Sequence, residues 1–225
     1  MIFTCLDFHA AAGRGQVSPA VMRAFRLRIN HVVDSFSLRI PKKIRTRLFQ
    51  KLNVTANQKA EWGSGFNAVE GIGLVDLVTP DIASIYRASQ ARAVKRVKHL
   101  LRVGIRIAAK HDSLFARHMD LWKHLLSTTG KEFDYDLCIA RSHPSRRWRC
   151  QAVLRISPTN YHYDVLVQDS RGLETIQRQR IKTTPCALPF YTGIGFSKLR
   201  WEKQDIVGLT RDDNEVFRFE AKLPA

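Results

Sequence analysis

Trp148-Arg149-Cys150-Gln151-Ala152-Val153-Leu154-Arg155-Ile156 sets apolar side chains at every second position. That two-residue period is the mark of a half-buried strand, with Trp148, Cys150, Leu154 and Ile156 on a core face and Arg149 and Arg155 on the opposite one. Downstream the pattern repeats between short turns. Ser157-Pro158-Thr159-Asn160 leads into a Tyr- and Val-rich run over 161–168, and Asp169-Ser170-Arg171-Gly172 leads into a strand over 173–183. A final hairpin pairs 198–209 with 215–223 across Thr210 to Asn214. Consecutive strands joined by short turns predict an antiparallel meander.

Upstream of Gly130 the apolar period is helical, about 3.6. Residues 2–8 read as a short edge strand and Ala10 to Gln16 as a linker. Ser18-Pro19 then supplies the cap and first-turn proline of a helix carrying Phe25, Ile29, Val32 and Val33. Pro41 breaks it, and a second short helix is expected through Leu52 with Ile44, Leu48 and Phe49 on one face. Residues 53–80 are irregular, with a possible strand at 74–78. Gly63, Gly65, Gly71 and Gly73 lack the Lys-Ser/Thr or helix-opening pattern of a phosphate loop, so they read as a connection. Thr79-Pro80-Asp81 opens a helix expected to reach His111, and Asp112-Ser113 caps another ending near Gly130. The fold class is therefore α+β: a strand and linker at 1–17, a helical part at 18–130, and an antiparallel sheet part at 131–225, with the helical half expected to pack against the sheet as one unit.

The chain has 225 residues, with 37 Lys and Arg against 20 Asp and Glu, a net charge of +17. With 44% apolar residues it has the material for a core, which excludes a disordered basic tail. No apolar run approaches the length of a membrane span, so no membrane partner is expected. Cys5, Cys138, Cys150 and Cys186 form no C-x-x-C pair and read as isolated thiols of a reduced, cytoplasmic protein. Neither a cofactor nor a metal is expected. His111 and His118 share a face without a third ligand.

Residues 82–111 carry Arg87, Arg92, Lys95, Arg96, Lys98, Arg102, Arg106 and Lys110 and no acid. Arg92, Arg96, His99, Arg102, Arg106 and Lys110 follow steps of four, three, three, four and four, which keeps them on one helical stripe. An ordinary solvated helix mixes in acids at i, i+4. Arg39, Lys42, Lys43, Arg45, Arg47 and Lys51 form a second acid-free group, and Arg141, Arg146, Arg147, Arg149 and Arg155 a third, which Arg178, Arg180 and Lys182 extend on a neighbouring strand. The last 24 residues, 202–225, hold six acids and four bases and stand outside the basic surface.

Asp205 opens an apolar strand, and Glu220-Ala221-Lys222 follows on the next. An acid followed by Glu-x-Lys across a hairpin resembles the metal site of the PD-(D/E)xK nuclease family. The resemblance implies Asp205 and Glu220 on Mg²⁺ and Lys222 helping to activate water. The family core continues with a helix and a further strand, and here three residues follow Lys222. His162-Tyr163-Asp164 resembles half of the His-hydrophobic-His strand of rolling-circle nickases, without the second histidine.

Three functions follow from these residues. The first is a non-enzymatic protein that binds a polyanion, DNA or RNA before others, through Arg92, Arg96, Arg102, Arg106, Lys110, Arg147 and Arg149. The second is an inhibitor of immunity or antitoxin type that covers an acidic protein. The third is the Mg²⁺-dependent nuclease. The oligomeric state is not legible in the sequence.

Overall fold

A computed structural model describes residues 1–11, 17–58, 65–79, 81–172, 174–185 and 195–224. Gly63, Pro80, Cys186, residue 173 of the expected strand and residues 12–16 of the expected linker fall outside them. The class is α+β, and the chain divides into two compact units, 1–131 and 132–225.

The first unit opens with β1 (Cys5–Ala11), α1 (Pro19–Leu38), β2 (Lys51–Asn57), β3 (Phe66–Val69) and β4 (Ile72–Val78). Among the described residues its sheet runs in the order β1-β2-β4-β3, with β1, β2 and β4 parallel and β3 antiparallel. Glu70 and Gly71, both with positive φ (50° and 78°), make the tight β3–β4 turn. That is the conformation a two-residue hairpin of primed type requires. Four further helices follow among the described residues: α2 (Ile82–Arg87), α3 (Gln90–His111), α4 (Ser113–Ala116) and α5 (Met119–Thr128).

Two expectations are corrected here. The 18–130 part holds β2 and β3, which were not expected, beside β4, which covers the possible strand at 74–78. Residues 41–50 form no helix. Their backbone groups are taken by distant partners: the Phe3 N–H donates to the Ile44 carbonyl, the Thr46 N–H to the Met1 carbonyl, and the Met1 ammonium to the Thr46 carbonyl at 2.7 Å. Long-range pairing outcompetes a weak local preference.

Asp112 holds the next part of that segment. It is fully buried, and its carboxylate accepts from Arg47 N at 2.7 Å, Leu48 N at 2.9 Å, Leu114 N at 3.0 Å and Phe115 N at 3.1 Å. The one side chain thus caps α4 and pins the 47–48 loop. Phe3, Phe49, Phe115 and Trp122 meet edge-on or stacked beside it, at centroid distances of 4.9–5.9 Å.

Helix α1 buries Phe25, Ile29, Val32, Val33 and Phe36. Helix α3 buries Ala93, Val97, Leu101, Ile105 and Ala108, and all of these belong to the same core as Leu52, Val54 and Ala56 of β2. The approach of α3 to β2 depends on Gly104, where an added Cβ would lie 2.5 Å from Val54 Cγ2. The first unit therefore packs its helices on its own sheet.

His31, on the buried face of α1, is 2% exposed and its Nδ1 has no hydrogen-bond partner among the described residues. Burial, with a smaller push from the charge of Lys98, takes its imidazole down to about 4. The folded value lies below the ordinary 6.5, so the fold holds the ring neutral while the unfolded chain takes up a proton. Stability is therefore lost as pH falls from about 6.5 towards 4, by roughly 3 kcal/mol, and the loss levels off below that. Urea midpoints measured across this window are expected to slope for the native chain and to flatten for His31→Leu.

The second unit contains β5 (Phe133–Ser142), β6 (Trp148–Ile156), β7 (Asn160–Asp169), β8 (Thr175–Pro185), β9 (Lys198–Glu202), β10 (Asp205–Leu209) and β11 (Glu215–Glu220). Among the described residues these form two antiparallel sheets, β5-β6-β7-β8 and β11-β10-β9. Their shared core includes Cys150, Val165 and Val167 from the first and Leu199 and Ile206 from the second. The expected strand over 198–209 is split in two, because the chain reverses at Lys203 (φ 57°) and Gln204 and pairs Glu202 with Asp205. Trp148 is buried, as its place in the alternation requires. Cys5, Cys138 and Cys150 are free thiols, and burial pushes Cys150 up to about 12.

Candidate functional site

The helix expected from Pro80 to His111 is broken at Ala88 and Ser89, both in extended conformation, into α2 and α3. The break has a tertiary cause. Arg28 of α1 donates one guanidinium nitrogen to the Tyr86 carbonyl and another to the Ala88 carbonyl. Carbonyls freed at a helix end need partners, and a charged donor is a strong one. Arg28→Met is expected to cost about 2 kcal/mol of stability and to expose residues 86–89 to proteolysis, since a charge-assisted hydrogen bond contributes about 1.5–3 kcal/mol.

With α2 turned away, α3 presents Arg92, Arg96, His99, Arg102, Arg106 and Lys110, all exposed, opposite its buried stripe. The sequence-predicted α3 residues are thus brought together on one face. Among the described residues none of Arg87, Arg92, Lys95, Arg96, Lys98, Arg102, Arg106 and Lys110 forms an ion pair. Arg96 donates to the Ser84 hydroxyl, and Lys98 to the Thr129 carbonyl at 2.9 Å. Burial lowers the Lys98 ammonium below its usual value, and the charges of Arg102 and Lys131 lower it further. At its N-terminal end the stripe runs into an open cleft of about 790 Å³, bounded by Arg87 of α2 and by Arg92, Lys95, Arg96 and His99 of α3. This cleft was not visible in the sequence, because it exists only where the predicted helix breaks.

Arg147 and Arg149 belong to the second unit. Arg147 lies 4.6 Å over the Trp148 ring, and Arg149 is half-buried on the polar face of β6. The rest of the expected basic sheet face is neutralised only in part, since Arg141, Arg146 and Lys182 form no ion pair among the described residues. Arg155 pairs with Glu132 at 2.7 Å, Arg178 with Asp134 and, at 3.0 Å, with Asp164, and Arg180 with Asp164 at 3.0 Å. Asp164 is fully buried and sits across the strand pair from Arg180. The acids were legible in the sequence, but only the register shows that they face the arginines.

Asp205 and Glu220 are cross-strand partners. Arg218 lies among the acids of this hairpin, 3.2 Å from Asp205, 2.8 Å from Glu202 and 2.8 Å from Glu215. Its hydrogen bonds hold the Glu202 and Glu215 carboxyls below their usual range. Lys222 is exposed, and its backbone N–H donates to Gln177 Oε1 at 2.7 Å. Of the two expected metal carboxylates, Asp205 is thus paired with a guanidinium of the chain, whereas Glu220 forms no ion pair among the described residues. Among the described residues no group of three or more His, Cys, Asp or Glu is placed to hold a metal ion, and no helix is long and apolar enough to cross a membrane. No protein-family model matches the chain, and neither curated proteins nor solved structures give a match.

Proposed function

We propose that the protein binds a polyanion, nucleic acid before others, through the cationic face of α3. The observation that carries this reading is unmatched charge lined up on one face. In the second unit Arg155, Arg178, Arg180 and Arg218 have carboxylate partners, while Arg141, Arg146, Arg147, Arg149 and Lys182 form no ion pair among the described residues; Arg92, Arg102, Arg106 and Lys110 likewise form none and, in addition, line up on one helix face. Like charges at i, i+4 repel, and phosphates relieve that repulsion. The 22-residue helix gives a face of about 33 Å at 1.5 Å per residue. Guanidinium groups bind phosphate oxygens bidentately, and each neutralised phosphate releases counterions. Such contacts fix position on the backbone and carry little base readout.

Purification with and without nuclease, followed by titration of a generic duplex at several salt concentrations, tests the reading. Nucleic acid is expected to co-elute unless nuclease is added, and log K is expected to fall steeply and linearly with log salt. Absence of binding at low salt sinks the reading. An acidic protein that co-elutes after nuclease treatment would favour the inhibitor instead.

A further inference from the structure

We propose that the cleft between α2 and α3 seats a terminal phosphate, the monoester at one end of a nucleic-acid strand whose diester backbone follows the α3 stripe. This inference rests on the reading above and adds a defined end position to a charged face.

Three features single out the cleft. The first is convergence. Arg102, Arg106 and Lys110 stand on the convex surface of one helix, each alone, whereas Arg87 from α2 faces the same space as Arg92, Lys95, Arg96 and His99 from α3. A monoester carries about −1.5 to −2 at neutral pH, against −1 for a diester, and has three acceptor oxygens. Converging cations therefore favour a strand end over the strand's middle.

The second feature is a surplus of cations over anions, with the carbonyls that border the cleft already bonded. The Tyr86 and Ala88 carbonyls at the end of α2 accept from Arg28. Among the described residues Asp81 is the one acid bordering the cleft; it caps α2 by accepting from Ser84 N at 3.3 Å, and the charges of Arg96 and Arg87 help to hold its carboxyl ionised, which leaves Arg92 and Lys95 in excess. Arg96 uses one of its donors on the Ser84 hydroxyl. A guanidinium has five N–H donors, so four remain for a ligand.

The third feature is space. Ala83 and Ala88 border the cleft with small side chains, which leaves room for a phosphate and the sugar behind it. Ser89 makes no side-chain bond to the first N–H groups of α3, and no acid lies in that turn.

The test uses three labelled single-stranded oligonucleotides of one sequence, carrying a 5′-phosphate, a 3′-phosphate or hydroxyls at both ends. Fluorescence anisotropy at about 0.1 M salt gives their affinities. One phosphorylated strand is expected to bind about tenfold more tightly than the hydroxyl strand, and which one assigns the polarity of the bound strand. Arg87→Gln is expected to bring that strand down to the hydroxyl strand. Arg102→Gln is expected to weaken both equally and preserve their ratio. Equal, salt-dependent binding of all three strands overturns the terminal-phosphate seat and leaves the α3 reading standing. A preference that survives Arg87→Gln overturns the assignment to this cleft. No binding of any strand at low salt overturns the α3 reading and the inference with it. Circular dichroism of each variant establishes that it is folded.

Discussion

Replacing Arg92, Arg96, Arg102 and Arg106 together by glutamine is expected to lower the affinity for a generic duplex by roughly a hundred- to a thousandfold at about 0.1 M salt, without unfolding the protein. Each phosphate contact contributes about 0.9 to the slope of log K against log salt. Loss of four contacts therefore makes the slope shallower by between about three and four. All four side chains are exposed and none forms an ion pair among the described residues, although Arg96 bonds the Ser84 hydroxyl and its charge acts on Asp81. Their removal takes away repulsion along one helix face, so the melting temperature should hold or rise. Titrations over a range of salt, with melting curves for both proteins, check both halves. A slope that stays at the native value would show that the charge of α3 is not what the polyanion meets.

Asp112→Ala is expected to be the most damaging single change to the first unit, costing about 3–5 kcal/mol in urea unfolding. Truncation leaves four backbone N–H groups, at Arg47, Leu48, Leu114 and Phe115, without their acceptor. Loss of a helix cap costs about 0.5–2 kcal/mol, and a buried donor left unsatisfied about 1–3 kcal/mol. Asp112→Asn, which keeps one acceptor oxygen, should fall between the two. Burial alone would raise the Asp112 carboxyl, but the four N–H donors outweigh it and hold the group below the ordinary carboxylate range. The sign follows. This stabilisation is fully present above about 3.9, the unfolded value, and is lost as pH falls through the lower folded value. The window lies below that of His31, so the two effects separate in one pH series.

Much of the class and of the stripe was legible because each depends on a local period. The alternation from Trp148 to Ile156 and the three- and four-residue steps from Arg92 to Lys110 are properties of a strand and a helix taken alone. The structure follows both. Errors arose where a segment's backbone groups found distant partners. The helix expected at 41–52 is absent because Met1, Phe3 and Asp112 bind its N–H and C=O groups. The helix expected through Ala88 is broken because Arg28, 60 residues away in the chain, takes that carbonyl. Neither partner leaves a signal within the segment it reshapes.

The charge shows the same division. The sequence by itself determined that the protein is basic, that residues 82–111 lack acids, and that the last 24 residues are slightly acidic, since these are sums over neighbours in the chain. Only the tertiary structure decided which cations keep their charge unmatched. Arg178 and Arg180 meet Asp164 through strand register, and Arg218 meets Asp205 across a hairpin. Arg92, Arg102, Arg106 and Lys110 meet no acid among the described residues. Electrostatic interaction falls with distance in space, not with separation along the chain. Only the fold, therefore, decides which cations stay unmatched, the stripe of α3 among them.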